Sequence, residues 1–327
     1  MKGKTWVLIA ARIGVLVVLA LAAVLSGKFA HLSNGPGLLF VLWGIVAMAL
    51  MGFAPREILT AFRHAGGREG RYHELKRSIY FWQSAARNAM MLGILGTLTG
   101  FVVFFCNFQG PLATFLPGVA HAFINMLYGV ILGAVFTVPA LMLSRRLEGT
   151  PVTGERSEPQ APWGFGMVVG YLLYIGLIGW VMMSPAQGTQ HTPLQWFVHW
   201  PSLLIVAGGT LALVLFVNDA KDGRSITVSF AFTGLIGTLM GLVQLLQSFD
   251  VGIAAIATSM TFIISSCFIA LVGMMLVGIP LEDRNIELAT EAGDKLLSRV
   301  AWYGFPLLTL FYLMVTVILI ITPIKKG

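Results

Sequence analysis

The sequence predicts an all-α, polytopic transmembrane protein of about nine spans, arranged as two parallel four-helix repeats followed by one extra carboxy-terminal span. Three observations carry that prediction. First, 57% of the residues are hydrophobic and only 11% are charged, about half the charged fraction of a soluble domain, so the chain cannot clothe a core of this size with a wetted surface. Second, the apolar residues come in unbroken runs of about 20 residues, enough to cross a hydrocarbon core of roughly 30 Å at about 1.5 Å per residue. Third, the chain repeats itself, at an offset of 141 over its later segments and of 165 at an earlier one, the signature of a duplicated unit.

The runs fall at residues 6–25, 37–53, 88–108, 117–143, 164–183, 200–217, 228–249, 252–279 and 301–321. Lys2 and Lys4 ahead of the first run give it the look of a secretory leader; it is counted as a retained span. If the runs alternate across the bilayer, only Lys28, Lys325 and Lys326 of the 21 Lys and Arg lie opposite the amino terminus. The positive-inside rule then puts the amino terminus in the cytoplasm and the carboxy terminus outside. The basic segment 54–87, with Arg56, Arg63, Arg68, Arg71, Lys76, Arg77 and Arg87, becomes cytoplasmic, whereas 109–116 and 184–199 hold no Lys or Arg. The formal charge of +7 follows from these loops and does not call for nucleic acid. Cys106 and Cys267 both sit within apolar runs, which excludes a disulfide framework and a zinc site; no metal or other cofactor is expected.

The repeat is read from several matched segments. G-I-L-G-T-L-T-G runs from Gly93 to Gly100, and G-L-I-G-T-L-M-G from Gly234 to Gly241, an offset of 141. The same offset carries Asn107 and Phe108 onto Ser248 and Phe249, and Pro139 onto Pro280. P-G-L-L-F-V-L-W-G from Pro36 matches P-S-L-L-I-V-A-G-G from Pro201 at an offset of 165, the difference from 141 being the longer cytoplasmic segment of the first half. Each unit holds four runs, an even number, so the copies share one orientation. The expected organisation is a first repeat at 1–147, a Pro/Gly/Ser/Glu-rich cytoplasmic linker at 148–163, a second repeat at 164–282, and a connector with the ninth span at 283–327.

These segments resemble the MotA/TolQ/ExbB family of ion-driven motor subunits. P-S-L-L-I-V-A-G-G-T-L followed by G-L-I-G-T-L-M-G looks like MotA, and G-x-x-G-T-x-x-G is shared with ExbB and TolQ. A-F-I-N-M-L-Y-G-V-I-L-G-A-V-F-T-V-P-A from Ala122 is similar to the family's last helix. The resemblance implies a bacterial cytoplasmic (inner) membrane, a homo-oligomeric ring, and a single-span MotB/ExbD/TolR-like partner that brings an intramembrane Asp. The chain departs from the pattern in three ways. It lacks a large cytoplasmic insert, it is duplicated, and it carries Met126 and Cys267 where the family's last helix has a path-lining threonine.

Gly93, Gly96, Thr97 and Gly100 fall on one helical face, as do Gly234, Gly237, Thr238 and Gly241. Small residues so placed let helix backbones approach closely in lipid, and the resemblance adds Thr97 and Thr238 as polar lining beside a partner's carboxylate. His121, Asn125 and Tyr128 form a polar stripe at i, i+4 and i+7, which would be costly against lipid. His121 titrates near neutrality and is weighed as a proton relay or as an interfacial residue. Ser266 and Asn125 are the polar neighbours that stand in for the missing threonine.

No Asp or Glu lies within any run. A mid-membrane carboxylate costs about 2.5–3.5 kcal/mol and generally carries ions when it persists, so conduction by this chain requires the group on another polypeptide. No nucleotide loop, H-E-x-x-H motif or catalytic triad pattern is present; the chain is not expected to be an enzyme. The expected function is a proton- or sodium-driven motor-like subunit that surrounds partner helices. A secondary transporter with parallel repeats and a non-conducting scaffold of the same fold are the alternatives. The ninth run, with Pro306, Thr309 and a closing Thr322-Pro323, is similar in spacing to the partner helices, Thr309 standing where they carry their aspartate.

Overall fold

The computed structural model describes residues 35–107, 115–148, 165–183, 200–217, 223–247 and 253–284. The runs at 6–25 and 301–321, most of the linker, and residues 108–114 and 184–199 lie outside them. Among the described residues every regular element is helical. In chain order these are α1 (Gly35–Gly52), α2 (Pro55–Ala65), α3 (Tyr72–Asn107), α4 (Phe115–Glu148) and α5 (Phe165–Met183). There follow α6 (Trp200–Leu203, a π turn at Leu204–Gly208, then Gly209–Val217), α7 (Gly223–Gln247) and α8 (Ile253–Gly273, a π turn at Met274–Gly278, then Ile279–Arg284). Seven of the nine predicted runs therefore coincide with helices. Four stretches, Gly35–Gly52, Phe123–Leu147, Ile226–Gln244 and Phe262–Leu281, are long and apolar enough to cross a membrane, and Phe165–Trp180 and Trp200–Val214 are shorter apolar helices.

Two compact units result, Met1–Thr97 with Leu112–Leu177 and Leu98–Pro111 with Ile178–Gly327. In the first, glycines set the approach of the helices. A Cβ on Gly44 of α1 would fall on the Leu92 side chain of α3, and one on Gly170 of α5 would stand 2.8 Å from the Ala47 carbonyl oxygen of α1. Below this contact Phe53, Ala61, Leu75, Ile79, Phe81, Trp82, Ala140 and Leu143 form a buried cluster joining α2, α3 and α4. The outward face of α1, with Leu39, Trp43 and Val46, and that of α5, with Val168, Leu172 and Ile175, are exposed and apolar. Such continuous apolar surface is suited to lipid and not to water.

The segment 54–87, which the sequence presents simply as basic and cytoplasmic, is folded. Pro55 opens α2 at its first position, where a missing N–H costs nothing, and the Glu57 carboxylate accepts from Ala54 N–H at 2.9 Å. Gly67, at φ 107°, makes the turn into α3; a left-handed backbone costs other residues about 1–2 kcal/mol. At 36 residues and about 1.5 Å per residue, α3 outruns the hydrocarbon core, so its first turns form an elbow with α2.

In the second unit α7 packs against both α6 and α8. Thr210 Oγ1 meets Thr233 Oγ1 at 2.8 Å, and Thr233 donates to the Ser229 carbonyl at 2.9 Å, so Thr210 is the donor between the helices. Cβ atoms on Gly273 and Gly278 of α8 would fall on the Phe230 ring and on Thr227 Oγ1 of α7. The π turn at Met274–Gly278 lies just ahead of Pro280, whose missing N–H and ring disturb a regular helix at that point. The outward face of α7, with Phe232, Ile236, Met240 and Val243, is exposed.

Candidate ion-path and helix-packing site

In the first unit the predicted glycine face of α3 is turned onto α4. A Cβ on Gly93 would stand 2.9 Å from both the Asn125 carbonyl oxygen and Gly129 Cα. One on Gly129 would stand 2.6 Å from the Ala89 carbonyl oxygen. Since these neighbours are backbone atoms, no side-chain rotation would relieve the clash. Gly96 plays a different part. It leaves room for Asn125, whose Nδ2–H donates to the Gly96 carbonyl at 3.0 Å across the interface, and a Cβ there would stand 2.9 Å from Asn125 Cβ. Gly100 is half-buried further along α3.

The second unit repeats this contact pair at the positions the offset of 141 assigns. A Cβ on Gly237 of α7 would stand 2.7 Å from Ser266 Oγ of α8, the counterparts of Gly96 and Asn125, and a Cβ on Gly241 would stand 3.0 Å from the Ile263 nitrogen. Gly234 is buried on the same helix. Polar atoms are left over at both places. Asn125 Oδ1 and Ser266 Oγ are buried with no hydrogen-bond partner, an arrangement that costs about 1–3 kcal/mol per group.

The threonines are placed alike. Thr97 is fully buried and donates to the Gly93 carbonyl at 2.9 Å, and Thr238, 1% exposed, donates to the Gly234 carbonyl at 2.8 Å. Each hydroxyl is thus satisfied one turn back on its own helix. Tyr128 is half-buried beside Asn125 on α4, as is Met126, and Cys267 is fully buried. His121 lies in α4, but its side chain is outside the described residues. The structure therefore brings Gly93, Gly96 and Asn125 together in one unit and Gly237 and Ser266 together in the other.

Sequence reasoning missed two features. Gly129 and Gly133 continue the α4 face four and eight residues beyond Asn125; a Cβ on Gly133 would stand 3.1 Å from the Ala86 carbonyl oxygen. Their four-residue spacing was the available signal. The other is the polar clasp of the elbow. His64, 2% exposed, lies with Nδ1 at 2.8 Å from Ser78 Oγ, and the Ser78 hydroxyl donates to the Glu74 carbonyl at 2.9 Å. Ser78 must then accept from His64 Nδ1–H, which leaves Nε2 bare, 4.0 Å from the Glu74 carboxylate. Arg146 of α4 donates to the His64 carbonyl at 2.8 Å, and Arg77 grips Glu57 through Nε and Nη2 at 3.0 and 3.2 Å. Burial lowers the His64 pKa below its ordinary value; Glu74 opposes this, and Arg68 and Arg146 reinforce it.

Lipid-suited faces and helices held by glycine contacts define an integral membrane protein of packed helices. Residues 44–151, about a third of the chain, match the model of the MotA/TolQ/ExbB proton channel family. The matched residues run from the middle of α1 through α2, α3 and α4. No curated protein and no solved structure matches the chain.

Proposed function

We propose that this chain is the membrane subunit of a proton- or sodium-driven motor-like complex of the bacterial inner membrane, surrounding the transmembrane helices of a single-span partner and coupling ion flow to mechanical work. The observation that carries the reading is the family match over α1 to α4, because it covers the glycine face of α3 and the helix that packs on it. In this reading the 141-residue offset reflects a duplication, and the contact pairs Gly96 with Asn125 and Gly237 with Ser266 support it. The full reading keeps nine spans, with the amino terminus in the cytoplasm.

Ion transfer needs a carboxylate that the predicted runs of this chain lack; the partner's intramembrane Asp supplies it. Asn125 Oδ1 and Ser266 Oγ, buried and unpaired, as is Asn88 Oδ1 on α3, are able to accept a hydrogen bond from a water or a protonated carboxyl beside them. A non-conducting scaffold is the second reading, favoured by Thr97 and Thr238, whose hydroxyls are already bonded within their own helices. The test is purification in mild detergent, identification of copurifying single-span proteins, and pH-dye flux in vesicles with and without that partner. Flux that needs the partner and its aspartate supports the motor subunit. A stable partner complex without flux of either ion leaves only the scaffold.

A further inference from the structure

The outer face of α2 stays largely exposed, with Pro55, beside Gly166 of α5, and the inner edge of Phe62 in contact with the rest of the unit. Its inner face is committed: Ala61 and His64 are buried, Trp82 Nε1–H donates to the Ala61 carbonyl at 3.3 Å, and Ile58 and Ala65 pack on the cluster around Phe81 and Leu143. Beyond it Leu59 is 52% exposed, and Phe62, although its ring meets Trp82 edge-on at 4.8 Å and Phe81 at 6.0 Å, is still 54% exposed; both are large and apolar. Arg56 and Arg63 are exposed beside them. At 3.6 residues per turn, Pro55, Leu59 and Phe62 project within about 60° of one another, and Arg56 and Arg63 within about 20°, next to them. The free face is therefore divided lengthwise into an apolar half and a basic half.

Position and charge identify the occupant. Only Phe53 and Ala54 separate α2 from the end of α1, so α2 starts where the chain leaves the hydrocarbon. Beyond it Arg68, Arg71 and Lys76 are also exposed, against exposed Glu69 and Glu74; Glu57 is already held by Arg77. A short helix with an apolar half and a basic half beside a bilayer lies in the headgroup layer, its apolar residues among the acyl chains and its cations on the phosphates.

We propose that α2 docks on the anionic lipid surface of the leaflet in which α1 ends, with Leu59 and Phe62 inserted beneath the phosphates and Arg56 and Arg63 paired with the headgroups of acidic phospholipids. The proposal rests on α1 being a membrane span. It is tested with the full chain, Cys106 and Cys267 replaced by Ala, carrying one spin label at Leu59→Cys, Phe62→Cys, Lys76→Cys or Val46→Cys. Each protein is reconstituted in phosphatidylcholine vesicles with or without phosphatidylglycerol, and label collisions with oxygen and with a water-soluble nickel chelate are compared.

The expected result is that labels at 59 and 62 favour oxygen and are shielded from nickel, whereas the label at 76 is open to nickel. Removing phosphatidylglycerol, or adding Arg56→Gln with Arg63→Gln, should shift the labels toward water by about fivefold per arginine. Lipid contact at Val46 with nickel contact at both Leu59 and Phe62 overturns the docking alone. Nickel contact at Val46 as well overturns the membrane placement of α1 with it. Shielding at 59 and 62 with strong coupling between labels, indifferent to lipid charge, makes a second copy of the chain the occupant and overturns the lipid surface.

Discussion

At the residue scale, the glycines of α3 and α4 and the polar atoms beside them make separable predictions. Gly93→Ala puts a methyl against backbone atoms of Asn125 and Gly129, which forces the helices apart. A loss of about 1–3 kcal/mol is expected, read as a lower melting temperature in detergent, with Gly176→Ala, where a Cβ meets nothing within 4 Å, as the neutral control. Thr97→Val should leave stability nearly unchanged, because the hydroxyl is bonded to its own helix. If partner-dependent ion flux nevertheless falls in that variant, the hydroxyl turns toward the path in the assembled complex; unchanged flux assigns Thr97 to packing. The glycine face was legible in the sequence from its spacing. Which helix it meets was not, since small residues on one face specify a close neighbour without naming it. The orphaned Asn125 Oδ1 and Ser266 Oγ were likewise invisible, because hydrogen-bond satisfaction depends on atoms brought from another helix.

At the element scale, segment 54–87 shows only its basic charge in the sequence, because its eleven-residue helix is too short and too polar to stand out beside long apolar runs. Its amphipathic spacing, Ile58, Ala61 and Ala65 inward, becomes informative only once the cluster around Phe81, Trp82 and Leu143 gives it something to cover. The clasp around His64 gives the elbow a pH dependence. The folded-state pKa lies below the unfolded value of 6.5, chiefly through burial, with Arg68 and Arg146 adding to the effect and Glu74 opposing it. The unfolded elbow therefore binds the proton more readily. The neutral clasp is at full strength above 6.5 and is lost as the pH falls from there toward the folded value. Hydrogen exchange over residues 55–80 should accelerate between about pH 7.5 and about pH 5.5 after correction for intrinsic rates, and His64→Gln should flatten that difference. An equal acceleration in the variant would assign the pH response elsewhere. Gly67→Val, with φ 107° in the turn, should cost the elbow about 1–2 kcal/mol at any pH.

At the scale of the whole molecule, the proposed duplication constrains assembly, because it puts an even number of repeats in each chain. Rings of five subunits, as the family resemblance implies, cannot be built from five repeats if each chain carries two. Either one repeat of each chain lines the centre, or the ring holds an even repeat count. Native mass spectrometry should find a multiple of 35.4 kDa plus partner; one isolated chain without a partner would contradict both arrangements. Topology has its own test: single cysteines at 185–198 should react with an impermeant thiol reagent from outside intact cells, and those at 64–75 should not. Labelling of the second group would reverse the orientation. The sequence by itself determined the helical class, the lipid surroundings and the positions of the apolar helices among those described, though not of α2, because continuous apolar runs admit one solution when every backbone group must be satisfied within its own segment. It also carried the family resemblance that the match over residues 44–151 supports. Only the tertiary structure decided that Gly93 meets Gly129, that Asn125 reaches the Gly96 carbonyl, and that a polar segment folds into a clasped elbow. These are contacts between helices distant along the chain, and the close approach of two backbones depends on both surfaces at once.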